Sequence, residues 1–419
     1  MGLRATLIDV PSGRTVVEEQ GAPRALRTGV VGLGHRGAHH SIRLSAFDEY
    51  EVVALCDRRP GVLAGAAARL LQETGSRART YTDFAAMLAA GGLDAVVVAV
   101  DPDKQAPLVC EALRAGLDVM VEVPLAYSLA DVWRIVQAVE QSGRLCLLME
   151  QTRFWGFVRA WRRIVAAGLI GKPLFAEGEY FDHKQDAFYQ DEAGRFYTPA
   201  QAARCPAARP AWRQTVPTIG YMPHEISPLL YILDDRVTRV VGMSTRPESY
   251  RYPGLQKADI QVALLQTAQD TILRLAVGHS TPSIRRGETA THWYHIKGTD
   301  GALEWKRSGW DRPRLFVGGW QTAEAQPMDW STARVDAPPA ARGSGHGDAD
   351  FYVYAQFADA VLRGVPPELD IYKAAETAAP GIMAARSIAA GNAPQEVPDF
   401  RPGPRRRAGE LPADAEAPA

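Results

Sequence analysis

Short apolar segments alternate with helix-forming segments over the first third of the chain. Residues 60–73 and 128–142 have apolar positions three and four apart, which predicts helices. The apolar segments, which we predict to be strands, include Leu26–Leu33, Glu51–Cys56, Leu93–Val100, Leu117–Val121 and Leu145–Met149. Strands that are apolar on both faces indicate a parallel sheet covered by helices on each side. The fold class is therefore α/β, with an N-terminal doubly wound parallel sheet.

After residue 152 the pattern changes to alternating apolar and polar positions. A helix over 155–167 precedes the predicted strands Pro173–Phe181, Val237–Thr245, Ile260–Thr267, Thr271–Ser280, His292–Lys297, Ala302–Arg307 and Arg314–Val317. Further helices are predicted over 348–362 and 371–390. Alternation indicates strands with one buried face, so this part is predicted to be an α+β domain with a large open, mostly antiparallel sheet.

Two long segments, 182–220 and 322–347, have little regular patterning. The first contains the aromatic residues Phe188, Tyr189, Phe196, Tyr197 and Trp212. An irregular segment of this length in a compact domain is usually a lid or a binding loop, and the alternative is a disordered insertion.

The length of 419 residues favours two domains. We predict an N-terminal arm over 1–27, a cofactor domain over 28–152 and a substrate domain over 153–400. The tail over 401–419 is rich in Pro, Ala and charge, which predicts disorder.

Composition narrows the possible partners. The net charge is −1, from 47 Lys and Arg against 48 Asp and Glu, and only seven of the basic residues are lysines. This balance argues against binding to nucleic acid or to a membrane surface. No apolar run approaches the length of a membrane span, and the start of the chain does not resemble a signal peptide. Together with four widely spaced cysteines, this predicts a cytoplasmic protein.

A glycine motif follows the first predicted strand and reads Gly32-Leu33-Gly34-His35-Arg36-Gly37. Such glycines let the backbone approach a pyrophosphate at the start of a helix. Asp57 ends the next strand, 20 residues beyond Gly37, where a carboxylate can bind a ribose diol. The acid favours NAD, whereas Arg58 directly after it leaves NADP as the less favoured alternative.

Further candidate residues end other predicted strands. Glu122-Val123-Pro124 follows one strand and Asp101 follows its neighbour, and the carboxyl ends of parallel strands form the ligand crevice. Glu122 could face a ligand, or Pro124 could simply set a structural turn.

A third cluster lies in the second part of the chain. Glu179 to His183 follow a strand, and Tyr221 is three residues before His224, which places both on one side of a helical turn. A Tyr/His pair can move the proton of an alcohol while a hydride leaves its carbon. His39, His40, His292 and His295 lack nearby carboxylates in the sequence, and we interpret them as packing or surface residues. No metal site is predicted.

Together these residues resemble the Gfo/Idh/MocA oxidoreductase superfamily. The resemblance covers about residues 28–400 and rests on GVVGLGHRG, VVALCDR, LDAVVVAV, EALRAGLDVMVEVP, AAGLIGKPLFAEGEYF and Tyr221-x-x-His224. It implies an N-terminal Rossmann domain, a C-terminal open-sheet domain, NAD(P)-dependent chemistry on sugars or cyclitols, and homo-oligomers formed through the sheet. It also places the glycine loop, Asp101 and Glu122-Val123-Pro124 at the cofactor.

The sequence departs from the superfamily pattern at Val123. The usual motif is Glu-Lys-Pro, and its lysine contacts the cofactor and the reacting hydroxyl, which a valine cannot do. Asp101 likewise begins a stretch, DPDKQ, where relatives often have Thr-Pro and then a histidine.

The Glu-Val-Pro variant is similar to the branch of NAD-dependent glycosidases of the α-N-acetylgalactosaminidase type. Also similar are GHGDADF at 345–351, DIYKAA at 370–375 and VPDF at 397–400. In that branch the sugar is oxidised at C3, the aglycone is eliminated, water is added and the hydride returns. The resemblance implies that Tyr180 is the base at C2, that Tyr221 and His224 act at C3, and that Glu150 belongs to the active site.

Three hypotheses remain open at this point. The first is an NAD-dependent oxidoreductase that transfers a hydride from a pyranose carbon, C3, of a sugar or glycoside. The second is a redox-neutral glycoside hydrolase that uses the same hydride step. The third is an inactive NAD(H)-binding sensor or partner subunit.

Overall fold

A parallel sheet forms the core of the N-terminal part. The computed structural model describes residues 24–184, 186–283, 285–318, 324–404, 406–412 and 415. The strands are β1 (Leu26–Val31), β2 (Tyr50–Cys56), β3 (Arg79–Tyr81), β4 (Ala95–Val98), β5 (Asp118–Val121) and β6 (Cys146–Leu148). The helices are α1 (His35–Leu44), α2 (Pro60–Thr74), α3 (Phe84–Ala89), α4 (Gln105–Arg114) and α5 (Leu129–Ser142). The strand order β3-β2-β1-β4-β5-β6 is that of a doubly wound sheet, as predicted.

The second part is built on a mixed sheet. Its helices are α6 (Gly156–Ala166), α7 (Pro199–Ala202), α8 (Trp212–Thr215), α9 (Pro223–Leu233), α10 (Asp350–Arg363) and α11 (Ile371–Ala389). Its strands are β7 (Pro173–Phe181), β8 (Tyr189–Gln190), β9 (Phe196–Tyr197), β10 (Arg209–Pro210), β11 (Val237–Ser244), β12 (Ile260–Thr267), β13 (Ile272–Gly278), β14 (His292–Gly298), β15 (Gly301–Glu304), β16 (Arg314–Val317), β17 (Gln326–Pro327) and β18 (Gln395–Glu396).

Nine of these strands form one sheet in the order β17-β16-β15-β14-β7-β13-β12-β11-β18. The pairs are antiparallel except for β7 with β13, which are parallel. This agrees with the mostly antiparallel sheet that the alternation predicts. Helix α9 lies over the inner face of β7, and α11 packs against β11 as well as against α5 and β6 of the first part. The two parts therefore share a continuous apolar core.

The 182–220 segment contains more regular structure than its pattern predicts. Strands β8, β9 and β10 form a small sheet. The short helix α7 lies between β9 and β10, and α8 follows β10. The hairpin between β8 and β9 reaches the first part of the chain, since a Cβ on Gly194 would lie 3.6 Å from Nη1 of Arg59. The segment thus spans the gap between the two sheets.

The C-terminal tail, for which composition predicts disorder, is packed onto α5 in its described part. Arg406 is buried, and its guanidinium bonds both carboxylate oxygens of Glu140 at 2.7 Å and lies 5.1 Å from the ring centre of Trp133. Phe400 packs on the same tryptophan in a tilted ring contact, with centres 4.5 Å apart. Composition could not reveal this ion pair, which joins residues 266 positions apart. Most of the predicted N-terminal arm, residues 1–23, lies outside the described residues.

Among the described residues, no helix is long and apolar enough to span a membrane.

We predict that Arg406→Ala lowers the free energy of unfolding by about 2–3 kcal/mol, because it leaves the carboxylate of Glu140 buried without its ion-pair partner. Arg407→Ala is the matched control, since the Arg407 side chain is exposed. Urea unfolding followed by circular dichroism measures both variants. Equal stability of the two would show that the tail contact contributes nothing.

Candidate active site

A cavity of about 1160 Å³ is lined by residues from both parts of the chain. This volume exceeds that of a typical pocket for one drug-sized ligand and leaves room for a dinucleotide and a second small molecule. Most of the site residues predicted from the sequence line it: Gly32, Gly34, His35, Arg36, Asp57, Arg58, Asp101, Glu122, Val123, Tyr180, Tyr221 and His224. Gly37, Pro124 and Glu150 lie behind this wall.

The glycine loop between β1 and α1 fits a pyrophosphate. Gly32 has φ +84°, and a Cβ there would lie 2.5 Å from the carbonyl oxygen of Ala99. A Cβ on Gly37 would lie 1.8 Å from the carbonyl oxygen of Gly32, so both positions require glycine for the fold itself. At Gly34, which faces the cavity, a Cβ would meet nothing within 4 Å. That open space is where a phosphate can approach the start of the helix.

Asp57 lies at the end of β2 beside this loop. Its Oδ2 accepts a hydrogen bond from the Leu33 amide at 2.8 Å, and its Oδ1 accepts one from the Arg59 amide at 2.9 Å. The Arg59 guanidinium also forms an ion pair with this carboxylate at 3.2 Å, whereas Arg58 is exposed. The loop and the acid are thus held in fixed relation at the place expected for a ribose.

Glu122 is held by other side chains. Its Oε1 lies 2.5 Å from Nε of Arg36 and 2.7 Å from Nε2 of His40, and its Oε2 accepts the Val123 amide at 2.9 Å. Burial would raise the pKa of this carboxyl, but Arg36 and His40 outweigh burial and hold the pKa far below its ordinary value. Arg36 also reaches Asp350 of α10 at 3.8 Å. Glu122 therefore links the glycine loop to the second part of the chain.

The two neighbouring strand ends bring an apolar side chain and a carboxylate to this corner of the cavity. Val123 is 7% exposed and apolar. Asp101 lines the cavity and pairs with Lys104 at 2.9 Å. Gln105 fixes the Glu-Val-Pro turn by donating to the carbonyl oxygen of Pro124 at 2.6 Å.

Tyr221, His224 and Glu150 come together. Tyr221 ends a 3-10 turn and His224 is in the first turn of α9, so their rings make an edge contact with centres 5.2 Å apart. Nδ1 of His224 lies 2.8 Å from Oε2 of the fully buried Glu150, whose Oε1 accepts hydrogen bonds from Thr152. Burial raises the pKa of this carboxyl, but His224 and Thr152 outweigh it, and the pKa lies below its ordinary value. An ionised Glu150 can orient the imidazole for proton transfer.

Tyr180, near the end of β7, contacts the side chains of Tyr221 and Asp182. Its ring stacks on Tyr221 with centres 5.5 Å apart, and its hydroxyl donates to Asp182 at 3.4 Å. Burial, and then Tyr221 and Asp182, raise the pKa of the phenol well above its ordinary value. The preceding residue, Glu179, lies on the other face of the sheet and pairs with Arg274 and Arg286, so it is not part of this cluster.

Arg213 brings a cation to the tyrosines from the 182–220 segment. Its guanidinium carbon lies 4.3 Å from the ring centre of Trp212 and 5.9 Å from that of Tyr221. The sequence offered several arginines near the site and gave no reason to choose this one.

His40, His292 and His295, which we interpret from the sequence as packing or surface residues, each contact a carboxylate that is distant along the chain. His40 contacts Glu122, His292 contacts Glu225 at 2.6 Å, and His295 contacts Glu177 at 3.1 Å. His292 also lines the cavity. The partners are 67 to 118 positions away along the chain, so no local spacing could reveal them. For Glu225, the only indication in the sequence of a place near the site is that it directly follows His224. In the described part of the chain, no group of three or more ligand-type side chains is arranged to hold a metal.

A doubly wound sheet, a glycine cradle, and a Tyr/His pair on a buried carboxylate define an oxidoreductase that binds a dinucleotide. Residues 26–150 match a family model described as an oxidoreductase family with an NAD-binding Rossmann fold, Gfo/Idh/MocA. Residues 254–406 match the C-terminal domain of glycosyl hydrolase 109. The N-terminal part of the chain is thus similar to the Gfo/Idh/MocA oxidoreductase family, and its C-terminal part is similar to that of the glycosyl hydrolase 109 proteins.

Curated relatives extend this similarity over the whole length. A glycosyl hydrolase family 109 protein from Streptomyces niveus is 27% identical, covering 90% of this chain and 78% of that protein. One from Saccharopolyspora erythraea is 25% identical, covering 91% of this chain and 84% of that protein. A solved levoglucosan dehydrogenase in complex with NADH and levoglucosan has the same fold, with a TM-score of 0.70, 16% identity, and coverage of 90% of this chain and all of that one.

We predict that Gly34→Ala weakens NAD binding about tenfold or more without lowering stability, because its methyl group would fill the open space of the phosphate cradle. Gly65→Ala is the matched control, since Gly65 is exposed on α2 and also has open space around it. Isothermal titration calorimetry with NAD, with thermal unfolding alongside, separates binding from folding. Unchanged affinity in Gly34→Ala would mean that the dinucleotide does not approach this loop.

Proposed function

We propose that this protein is a redox-neutral, NAD-dependent glycoside hydrolase that oxidises C3 of a sugar, eliminates the aglycone at C1, adds water and reduces C3 again. The observation that carries the proposal is the contact of a second buried phenol, Tyr180, with the Tyr221–His224–Glu150 group. A simple alcohol oxidation needs one proton-transfer group, whereas this cycle also needs one at C2. The similarity to glycosyl hydrolase 109 proteins supports the proposal.

In this proposal the cofactor lies in the 28–152 domain and the sugar lies against the 153–400 domain. A bound NAD would supply the acceptor, and later the donor, of the hydride at C3. The glycine loop, Asp57 and Asp101 bind the dinucleotide, and Val123 gives the corner an apolar wall.

Tyr221, His224 and Glu150 act on the C3 hydroxyl. His224 takes the hydroxyl proton as the carbon is oxidised, while the carboxylate of Glu150, 2.8 Å from Nδ1, stabilises the imidazolium. Tyr221 orients the hydroxyl, and the guanidinium of Arg213 lies 5.9 Å from the centre of its ring. The proton returns to the same oxygen when C3 is reduced.

Tyr180 takes the proton from C2, which a carbonyl at C3 makes acidic. Burial raises the pKa of this phenol well above its ordinary value, and the charge of Arg213, from the 182–220 segment, lowers it again only in part. The phenolate that acts as the base therefore forms after the hydroxyl proton passes to Asp182, which accepts its hydrogen bond at 3.4 Å.

The test is to incubate the protein with a panel of 4-nitrophenyl glycosides and to follow released nitrophenol and NADH together, in buffer made with D₂O. We expect nitrophenol release without net NADH, with deuterium at C2 of the product sugar. Tyr180→Phe should abolish both release and exchange while NAD affinity stays unchanged. Intact NAD binding with neither signal would instead favour a non-enzymatic sensor.

The second candidate function is a sugar dehydrogenase. The Tyr221–His224–Glu150 group alone is sufficient for alcohol oxidation, and the solved structural neighbour is named as a levoglucosan dehydrogenase. Stoichiometric NADH without released aglycone, again lost in Tyr221→Phe and His224→Ala, would support this function and exclude the hydrolase.

We further propose that NAD, rather than NADP, is the natural cofactor, because Asp57 places a carboxylate at the ribose. Asp57→Asn should lower the ratio of NAD affinity to NADP affinity about tenfold or more. The asparagine side chain can still accept the hydrogen bond from the Leu33 backbone N–H, but it carries no charge to repel a 2′-phosphate. Glu73→Gln, on the exposed end of α2, is the control. An unchanged ratio would show that Asp57 does not contact the ribose. Titrations with both dinucleotides measure the ratio.

The proposal also covers the assembly of the protein and its cellular compartment. Met243, Leu264 and Ile272 are exposed on the outer face of the nine-stranded sheet, which favours pairing of two copies through this face. The four cysteines are free, and three of them are buried, which suits a cytoplasmic protein.

A further inference from the structure

A second carboxylate–histidine pair lies on the opposite side of Tyr180 from Tyr221. His292 begins β14 and is the cross-strand neighbour of Tyr180, and their rings stack with centres 4.6 Å apart. Its Nδ1 lies 2.6 Å from Oε1 of Glu225, which is fully buried in the first turn of α9. The pair repeats the arrangement of Glu150 and His224 in the same cavity wall.

The fold is shaped to admit this pair. Glu225 lies over β7 at Gly178, where a Cβ would lie 2.8 Å from Cβ of Glu225. Any larger residue at position 178 would push α9 away from the sheet. His292 lines the cavity, and its second ring nitrogen, Nε2, makes no hydrogen bond to any residue that the structure describes. The imidazole is therefore held at one nitrogen and open to a ligand at the other.

The two glutamates differ in protonation. Burial, and then the charge of Glu150, raise the pKa of Glu225 well above its ordinary value, while burial and then His224 lower that of His292 well below. The pair is therefore neutral, with the proton on Glu225 donated to Nδ1 and a second proton on Nε2. Carboxyl groups whose pKa values are driven apart are typical of sites where one group acts as an acid.

We propose that Glu225 and His292 form a proton relay that protonates the glycosidic oxygen as the aglycone leaves. This inference rests on the proposed hydrolase function. His292 is the catalytic residue, because its Nε2 faces the substrate space, and Glu225 is a positioning residue that acts through it.

The relay balances over the cycle. During elimination, the Tyr180 phenolate takes the C2 proton, the C1–C2 double bond forms and the C1–O bond breaks. The departing oxygen takes the proton of Nε2, and Glu225 passes its own proton to Nδ1, so the aglycone leaves as an alcohol. During water addition, a water proton goes to Nε2, the Nδ1 proton returns to Glu225, hydroxide adds to C1, and Tyr180 returns a proton to C2.

The test compares leaving groups on one sugar, taken from the 4-nitrophenyl glycoside that the wild type cleaves fastest and from its methyl counterpart. Methoxide needs a proton to leave, whereas 4-nitrophenolate leaves unaided. Glu225→Gln keeps a donor to Nδ1 but cannot transfer a proton. We expect it to lower kcat on the methyl glycoside about 100-fold or more, and on the nitrophenyl glycoside less than about fivefold.

His292→Asn is the second variant and should show the same split. The matched controls are Glu177→Gln and His295→Asn, a carboxylate–histidine pair on the outer face of the sheet, which should leave both rates unchanged. Deuterium exchange at C2 of the methyl glycoside should persist in Glu225→Gln, because oxidation and C2 proton removal do not use the relay.

The outcomes separate the two proposals. Wild-type protein that releases no aglycone from any glycoside overturns the hydrolase function, and the relay with it. Wild-type protein that hydrolyses both glycosides, with Glu225→Gln and His292→Asn slowing them by equal factors or not at all, overturns the relay alone.

Discussion

Two fully buried carboxyl groups, Glu150 and Glu225, lie in the protein interior beside Tyr180, and only one of them is ionised there. Charges in such surroundings are costly unless each has a partner, and like charges raise each other's pKa. Glu150 has Thr152 and His224 as partners and stays ionised. Among the residues that the structure describes, Glu225 has only His292 as a side-chain partner, and it stays neutral. This division of charge is what gives one wall of the cavity both a base and an acid.

The sheet architecture could be predicted from the sequence because it follows from apolar periodicity. The bounds of β7, β12 and β16 agree with the prediction, since each strand ends where alternation ends. The apolar run Leu93–Val100 predicts a strand longer than β4, Ala95–Val98, because Ala99 and Val100 stay apolar after the strand ends and line the cavity beside the glycine loop. Periodicity reports burial, and it cannot separate a strand from the buried turn that follows it.

The site could be predicted only where its residues are near in sequence or carried by the family resemblance. Tyr221 and His224 share a turn and were found by spacing. Glu225 and His292 meet because β14 pairs with β7 in one register, and that register depends on the whole sheet. Arg213 reaches the tyrosines only through the fold of the 182–220 segment, whose short strands have no periodicity to detect.

The outer face of the same sheet shows why burial, rather than residue type, decides what such a pair can do. His295 and Glu177 are also a histidine and a carboxylate in contact, one strand apart. Burial would raise the pKa of Glu177, but His295 and Arg274 outweigh it and hold the pKa below its ordinary value, so this pair belongs to a charged surface network. No cation in the described structure contacts Glu225, so the Glu225 carboxyl keeps its proton. A neutral pair with one nitrogen open to the cavity can deliver a proton, whereas the ionised carboxyl of Glu177 outside has no proton to deliver.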